Sequence, residues 1–200
     1  MTDLYIDLNA FPAPLRRIVE SWYRWQAVYL HKMGNFPLDA DPDRIPWGTR
    51  PPTIKDNFCF LDDGEISYFL VDDNGQHYID KQSRSSRGRY WMFRRFEDAE
   101  KYALFLISQL ARPGKYTQSP SFKWYKQGLE PSVTLTKPDP ENYPGRVSLT
   151  VDHETTDRGW MGEHDAIAAS HVIVLDFERL EEALREGIPS DWFSINVLTK

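Results

Sequence analysis

The densest group of side chains with metal-binding or acid–base chemistry lies between residues 153 and 171. Its candidate ligands are three histidines and three of its carboxylates: His153, Glu154, Glu163, His164, Asp165 and His171. A zinc site needs three or four such ligands converging on one point, commonly at short and regular spacings. No HExxH or CxxC spacing occurs here, so a solvated acidic loop is the favoured interpretation, and we predict no metal and no cofactor. A small metal- or ligand-binding enzyme that uses the His153–His171 region is kept as an alternative.

Other patterns that support catalysis are also missing. Cys59 stands between Phe58 and Phe60, where burial would raise the pKa of its thiol and make it inert. The DDNG segment (72–75) lacks the alternating ligands of a calcium loop and is typical of a hairpin turn. The chain contains no GxSxG, GxxxxGK[ST] or GxGxxG motif. We therefore predict no catalytic residues and a protein that is not an enzyme.

Charge is concentrated in one segment. KQSRSSRGRYWMFRR (81–95) holds six basic residues and no acidic one. Because the 200-residue chain has a formal net charge of −6, the other 185 residues carry −12. Arg84, Arg87 and Arg89 are therefore candidate contacts for a protein partner. A nucleic-acid adaptor acting through 81–95 is the alternative, but we expect no nucleic acid because an acidic chain is a poor phosphate binder.

A second candidate contact lies in the acidic stretch 153–165, which is predicted to be an exposed loop. Trp160 and Met161 stand there between Gly159 and Gly162. A Trp on a polar loop is a common interface anchor, although the same pair could also pack back onto the core. We include both residues in the predicted partner-binding set.

The elements that must position these residues indicate an α+β fold, an antiparallel β-sheet (meander) packed against a few α-helices. Apolar residues at helical spacing predict helices over 12–33, 96–112 and 176–187. Alternating apolar residues predict strands at the positions 57–61, 66–71, 76–80, 89–95, 132–136, 146–151 and 170–176, with a longer loop over 81–87 and a last strand in the C-terminal tail. We predict a single domain over 1–200, with a possible subdivision near 113–120.

Three features predict a cytoplasmic protein. The single cysteine cannot form an intramolecular disulfide, which suits a reducing compartment. The N-terminus has no basic start followed by an apolar run, so it does not match a secretory signal. The longest mostly apolar stretch, YALFLISQL (102–110), is too short to span a bilayer, so no membrane contact is expected.

The segment SRSSRGRYWMFRRFEDAEKYALFLI (83–107) resembles actinobacterial polymorphic-toxin immunity proteins, a group that includes the immunity factor of the tuberculosis necrotizing toxin. The shared features are a serine/arginine loop, an aromatic strand and a helix that opens with an acidic-Ala-acidic-Lys-Tyr pattern. The resemblance covers about a quarter of the chain.

The resemblance implies a non-enzymatic cytoplasmic protein that binds a cognate toxin and occludes its active site. In the necrotizing-toxin group, the target would be an NAD-degrading enzyme. It implies no catalytic residues and maps no inhibitory residue onto this chain.

Overall fold

The structure, a computed structural model, describes residues 1–37, 44–139, 141 and 144–200. It confirms the α+β class. The helices are α1 (Arg16–Lys32), α2 (Phe96–Ala111), α3 (Pro120–Gln127), α4 (Glu163–Val174) and α5 (Phe177–Arg185). The strands are β1 (Thr2–Ile6), β2 (Thr53–Ile54), β3 (Phe58–Asp62), β4 (Ile66–Asp73), β5 (Gln76–Ser83), β6 (Ser86–Phe93), β7 (Val133–Thr136), β8 (Arg146–Val151), β9 (Gly159–Gly162) and β10 (Ile195–Thr199).

Eight strands form one antiparallel sheet in the order β2-β3-β4-β5-β6-β9-β8-β7. The predicted meander is confirmed as β3–β6, and the predicted pairing of 132–136 with 146–151 is confirmed as β7 with β8. Asn74 and Gly75 both have positive φ between β4 and β5, as a two-residue hairpin turn requires.

The helices form the second part of the molecule. Helix α2 contacts β5 and β6, and it also contacts α1, α4 and α5. The indoles of Trp22 and Trp25 on α1 are fully buried in this core. Acidic residues in the first turn of α2 suit the positive end of the helix dipole, and Pro113 follows its end. The three helices predicted from apolar spacing are confirmed with ends shifted by a few residues.

The sequence interpretation is wrong at three places along the chain. The predicted loop 81–87 is strand on both sides of a tight turn, because Ser83 pairs with Ser86. The predicted loop 153–165 contains β9 and the start of α4, and the predicted strand 170–176 is mostly the second half of α4. Alanines at 166, 168 and 169 let α4 pack closely on its neighbours, and this tertiary packing overrides the strand preference of the VIV run (172–174). Helix α3 was not predicted.

The two ends of the chain pair with each other outside the large sheet. Strand β10 confirms the predicted terminal strand, and its partner is β1 in a parallel arrangement with Leu4 opposite Val197. Phe193, just before β10, lies edge-on to Trp25 with ring centroids 5.1 Å apart. This contact joins the terminal pair to α1.

Candidate functional site

The large sheet has two faces because side chains alternate along each strand. One face contributes Leu70, Ile79, Trp91 and Met161 to the main core beneath the helices. The opposite face, which we call the open face, carries a separate apolar cluster. Its residues come only from β4, β5, β6 and β9, with no helix among the described residues that form it: Phe69, Val71, Tyr78, Met92 and Trp160.

Three arginines lie over aromatic rings of the open face. The guanidinium carbon of Arg87 is 4.1 Å from the ring centroid of Phe69, and that of Arg89 is 4.0 Å from Tyr78. Arg146 of β8 lies 3.9 Å from the Trp160 ring. We call Phe69, Tyr78 and Trp160 the aromatic strip. The guanidinium groups therefore cover part of this strip, as in cation–π stacking.

Carboxylates hold two of these arginines in place. Arg87 Nε donates to Asp80 Oδ2 at 2.9 Å, and Arg87 Nη2 donates to Asn57 Oδ1 at 2.7 Å. Arg89 Nη2 donates to Asp73 Oδ2 at 2.7 Å, and this hydrogen bond raises the pKa of Arg89 above its ordinary value. The open face therefore presents arginines that are already oriented by their partners.

The rest of the basic segment is paired in the same way. Arg94 Nη2 lies 2.9 Å from Asp157 Oδ2, and Arg95 Nη2 lies 3.1 Å from Glu154 Oε1. Four of the six basic residues in 81–95 are therefore in ion pairs within the molecule. Guanidinium groups that carboxylates already neutralise attract phosphates less strongly than unpaired ones, because phosphate binding depends on uncompensated positive charge.

The predicted contact residues separate into three groups. Arg87, Arg89 and Trp160 come together on the open face. Arg84 is exposed at the turn between β5 and β6, with a positive φ of 56°. Met161 faces the core with 0% of its surface exposed, so its prediction as a partner contact is corrected: it alternates with Trp160 along β9, and the two cannot share a face.

Sequence reasoning missed Phe69, Tyr78 and Arg146 as members of this surface. Residues 69 and 71 face outward while 68 and 70 face the core, so β4 is apolar on both sides. An apolar strand of this kind indicates burial on both faces or a binding surface. Arg146 has no local signal, because its place beside Trp160 depends on the pairing of β8 with β9.

The residues of the His153–His171 region are dispersed. His171 Nε2 lies 2.9 Å from the carbonyl oxygen of Gly128, and the His164 ring packs 5.0 Å from Tyr125. His153 is exposed in a turn with a φ of 67°. Across the described residues, no group of three or more His, Cys, Asp or Glu side chains is placed to hold a metal ion.

Two titratable groups near the sheet are shifted toward their neutral forms. Burial raises the pKa of Asp165, whose Oδ2 accepts a hydrogen bond from Trp91 Nε1 at 3.0 Å. Burial also raises the pKa of the Cys59 thiol to about 11, which matches its expected inertness.

Fold and surface together define an α+β protein whose antiparallel sheet has helices on one face and an arginine-covered aromatic strip on the other. Among solved structures, the chain is similar to Rv3902c from M. tuberculosis, with a TM-score of 0.53 and 17% identity over 67% of this chain and 77% of that one. At this identity the likeness shows the fold alone. No family model matches the sequence, and no curated protein matches it either.

Within the described ranges, none of the helices has the length and apolar character needed to cross a membrane.

Proposed function

We propose that this protein is an immunity or inhibitor protein that binds a cognate bacterial toxin through its open face and occludes the toxin's active site. The observation that carries the proposal is the aromatic strip beneath Arg87, Arg89 and Arg146. Tyr, Trp and Arg are the side chains that most often dominate binding energy at protein interfaces.

The prior orientation of the arginines supports tight binding. Immobilising a flexible side chain at an interface costs about 0.5–1.5 kcal/mol, and Asp80 and Asp73 already restrain Arg87 and Arg89 in the free protein. Each pair also offers both donors and acceptors to a partner. A surface of this kind favours one complementary partner over nonspecific adhesion.

The segment that resembles toxin immunity proteins lies beside this surface. Residues 83–107 include the β5–β6 turn, strand β6 and most of α2, so they supply Arg84, Arg87 and Arg89. The resemblance supports an actinobacterial toxin as the partner, an NAD-degrading enzyme as its activity and the cytoplasm as the place of action.

The proposal expects a toxin-domain protein to be encoded beside this gene, and the test is to co-express that protein with this chain. We expect the protein to restore growth of the toxin-producing host and to co-purify with the toxin at a defined stoichiometry. An unprotected host together with no co-purification would rule the proposal out. The same purified protein, mixed with short RNA and DNA duplexes at low salt, should not bind them, and salt-sensitive binding would favour the nucleic-acid alternative.

Substitutions locate the interface. Trp160→Ala and Arg89→Ala should each weaken toxin binding by about tenfold or more, since truncated hot-spot residues commonly cost over 1 kcal/mol. Tyr116→Ala is the matched control, because Tyr116 is an exposed aromatic residue outside the open face. Equal affinities for all three variants, measured by calorimetry, would place the interface elsewhere on the molecule.

A further inference from the structure

A groove of about 870 Å³ lies at the edge of the sheet, where the segment 12–15 and the first turn of α2 meet β3, β4 and β5. Its floor is apolar and is formed by Phe58, Leu70 and Phe96. Ile54 lines the same groove with 45% of its surface exposed. This volume is within the range of clefts that bind ligands.

The outer lining of the groove is acidic. Asp56, Asp72 and Glu97 are exposed there, and none of them forms a salt bridge with a Lys or Arg among the described residues. His77 Nδ1 lies 3.8 Å from Asp72 Oδ2, and the two carry opposite charges only when the imidazole is protonated. Arg17 also lines the groove, where it pairs with Glu100 and interacts with the charge of Glu97. Four lining carboxylates against this one arginine still leave a net negative charge around the apolar floor.

This arrangement differs from that of the open face, where the carboxylates are neutralised. Asp73 and Asp80 pair with Arg89 and Arg87, whereas Asp72, next in the chain to Asp73, points toward the groove without an arginine. The two surfaces adjoin at Asn57, which lines the groove and accepts a hydrogen bond from Arg87. A partner that covers the open face can therefore reach the groove as well.

We propose that the groove binds a segment of a partner protein in which Lys or Arg residues flank a large apolar side chain. The apolar side chain would pack on Phe58, Leu70 and Phe96. The flanking cations would pair with the exposed carboxylates at the mouth of the groove. Opposite charges around an apolar contact give both specificity and a faster encounter. This inference goes beyond the proposed function, because it holds for a partner of any activity.

The test uses three short fluorescent peptides and the full chain, and it measures fluorescence anisotropy. The first peptide is Lys-Arg-Leu-Trp-Arg-Lys, which should bind. The second, Glu-Glu-Leu-Trp-Glu-Glu, reverses the charge, and the third, Lys-Arg-Gly-Ser-Arg-Lys, removes the apolar anchor. We expect both comparison peptides to bind at least about tenfold more weakly than the first, and binding of the first to weaken as salt is raised.

The variant Asp56→Asn/Asp72→Asn/Glu97→Gln should weaken binding of the first peptide by about tenfold, because it removes three carboxylates that pair with the peptide's cations. The matched control, Asp152→Asn/Glu163→Gln/Glu182→Gln, removes the same charge from exposed positions outside the groove and should bind within about twofold of the parent.

Three results would overturn the inference: equal binding of all three peptides to the parent, equal binding of the first peptide to both variants, or binding unaffected by salt. The peptide comparison and the salt titration use the parent chain, so they test binding to the groove even if the groove variant folds poorly. Failure of the toxin experiment leaves these measurements unchanged, so the two proposals can fail separately.

Discussion

At the scale of single residues, the arginines of the open face each combine two interactions. Arg87 stacks on Phe69 while it pairs with Asp80, and Arg89 stacks on Tyr78 while it pairs with Asp73. A partly exposed stack contributes about 0.5–1 kcal/mol, and the exposed pair of Arg89 with Asp73 contributes a similar amount or less. The main effect of that pair is therefore to orient the guanidinium group. Asp80 is only 7% exposed, so Arg87 also neutralises a buried carboxylate.

One glycine controls the position of Trp160. Gly159 has a φ of +146°, and a Cβ built there would lie 1.9 Å from the carbonyl oxygen of Met92 on the paired strand. We predict that Gly159→Ala lowers the free energy of unfolding by about 4 kcal/mol, because the backbones of β6 and β9 would have to separate. Gly187→Ala is the control, with positive φ but no atom within 4 Å, and should cost about 1 kcal/mol. Urea unfolding followed by Trp fluorescence measures both, and equal losses would contradict the close approach.

Cys59 provides a pH-dependent prediction. Because burial raises the pKa of its thiol from 9.0 to about 11, the folded chain should react with a disulfide reagent at pH 8 about tenfold or more slowly than the urea-unfolded chain. The folded state keeps a proton that the unfolded state releases, so this group's contribution to stability is complete below about pH 9 and is lost as the pH rises toward 11. Equal reaction rates for the folded and unfolded chains at pH 8 would show that the thiol is not shifted.

At the scale of elements, a buried ionic group joins α2 to its neighbours. Asp98 in the first turn of α2 is 0% exposed and pairs with Lys101 at 2.9 Å and with Arg158 at 2.9 Å. Lys101 Nζ also donates to the carbonyl oxygens of Ile173 and Leu175, at 2.7 and 3.0 Å. These carbonyls lie at the end of α4, where a helix leaves its last acceptors unpaired. The group thus ties the end of α4 and the loop before β9 to the start of α2.

Lys101→Met tests this connection. We predict a loss of about 3 kcal/mol in the free energy of unfolding, since the substitution leaves a buried carboxylate with one cation fewer and two carbonyls without a donor. Lys123→Met, which removes an exposed pair with Glu186, should cost under about 1 kcal/mol. Urea unfolding measures the free energy of unfolding of both variants. A similar loss for the two substitutions would mean that the buried ionic group stabilises the fold no more than an exposed ion pair does.

At the scale of the whole molecule, the two chain ends depend on each other. Among the described strands, β1 pairs with β10 alone, and Ile195 at the start of β10 is 3% exposed. Residues distant in sequence therefore hold the N-terminal strand in place. The same dependence on distant partners applies to the open face, whose strands come from 66–93 and 146–162.

Ile195→Ala should lower the free energy of unfolding by about 3 kcal/mol and speed amide hydrogen exchange across β1, because the cavity weakens the only strand that pairs with it among the described residues. Thr199→Ala, at the exposed end of the same strand, should leave both quantities near the parent values. Exchange in β1 that stays as slow as in the parent would show that the packing of Ile195 does not hold the N-terminal strand in place.

Local patterns in the sequence were enough to determine the α+β class, the helices near 12–33, 96–112 and 176–187, and the meander, because helical spacing, strand alternation and hairpin turns are properties of neighbouring residues. They also singled out Arg87, Arg89 and Trp160. Only the tertiary structure decided that these three share a face, that Met161 lies in the core, and that carboxylates neutralise most of the basic segment. The physical reason is that β9 joins β6 across more than sixty residues of chain, and ion pairs such as Arg94 with Asp157 form only once that pairing exists.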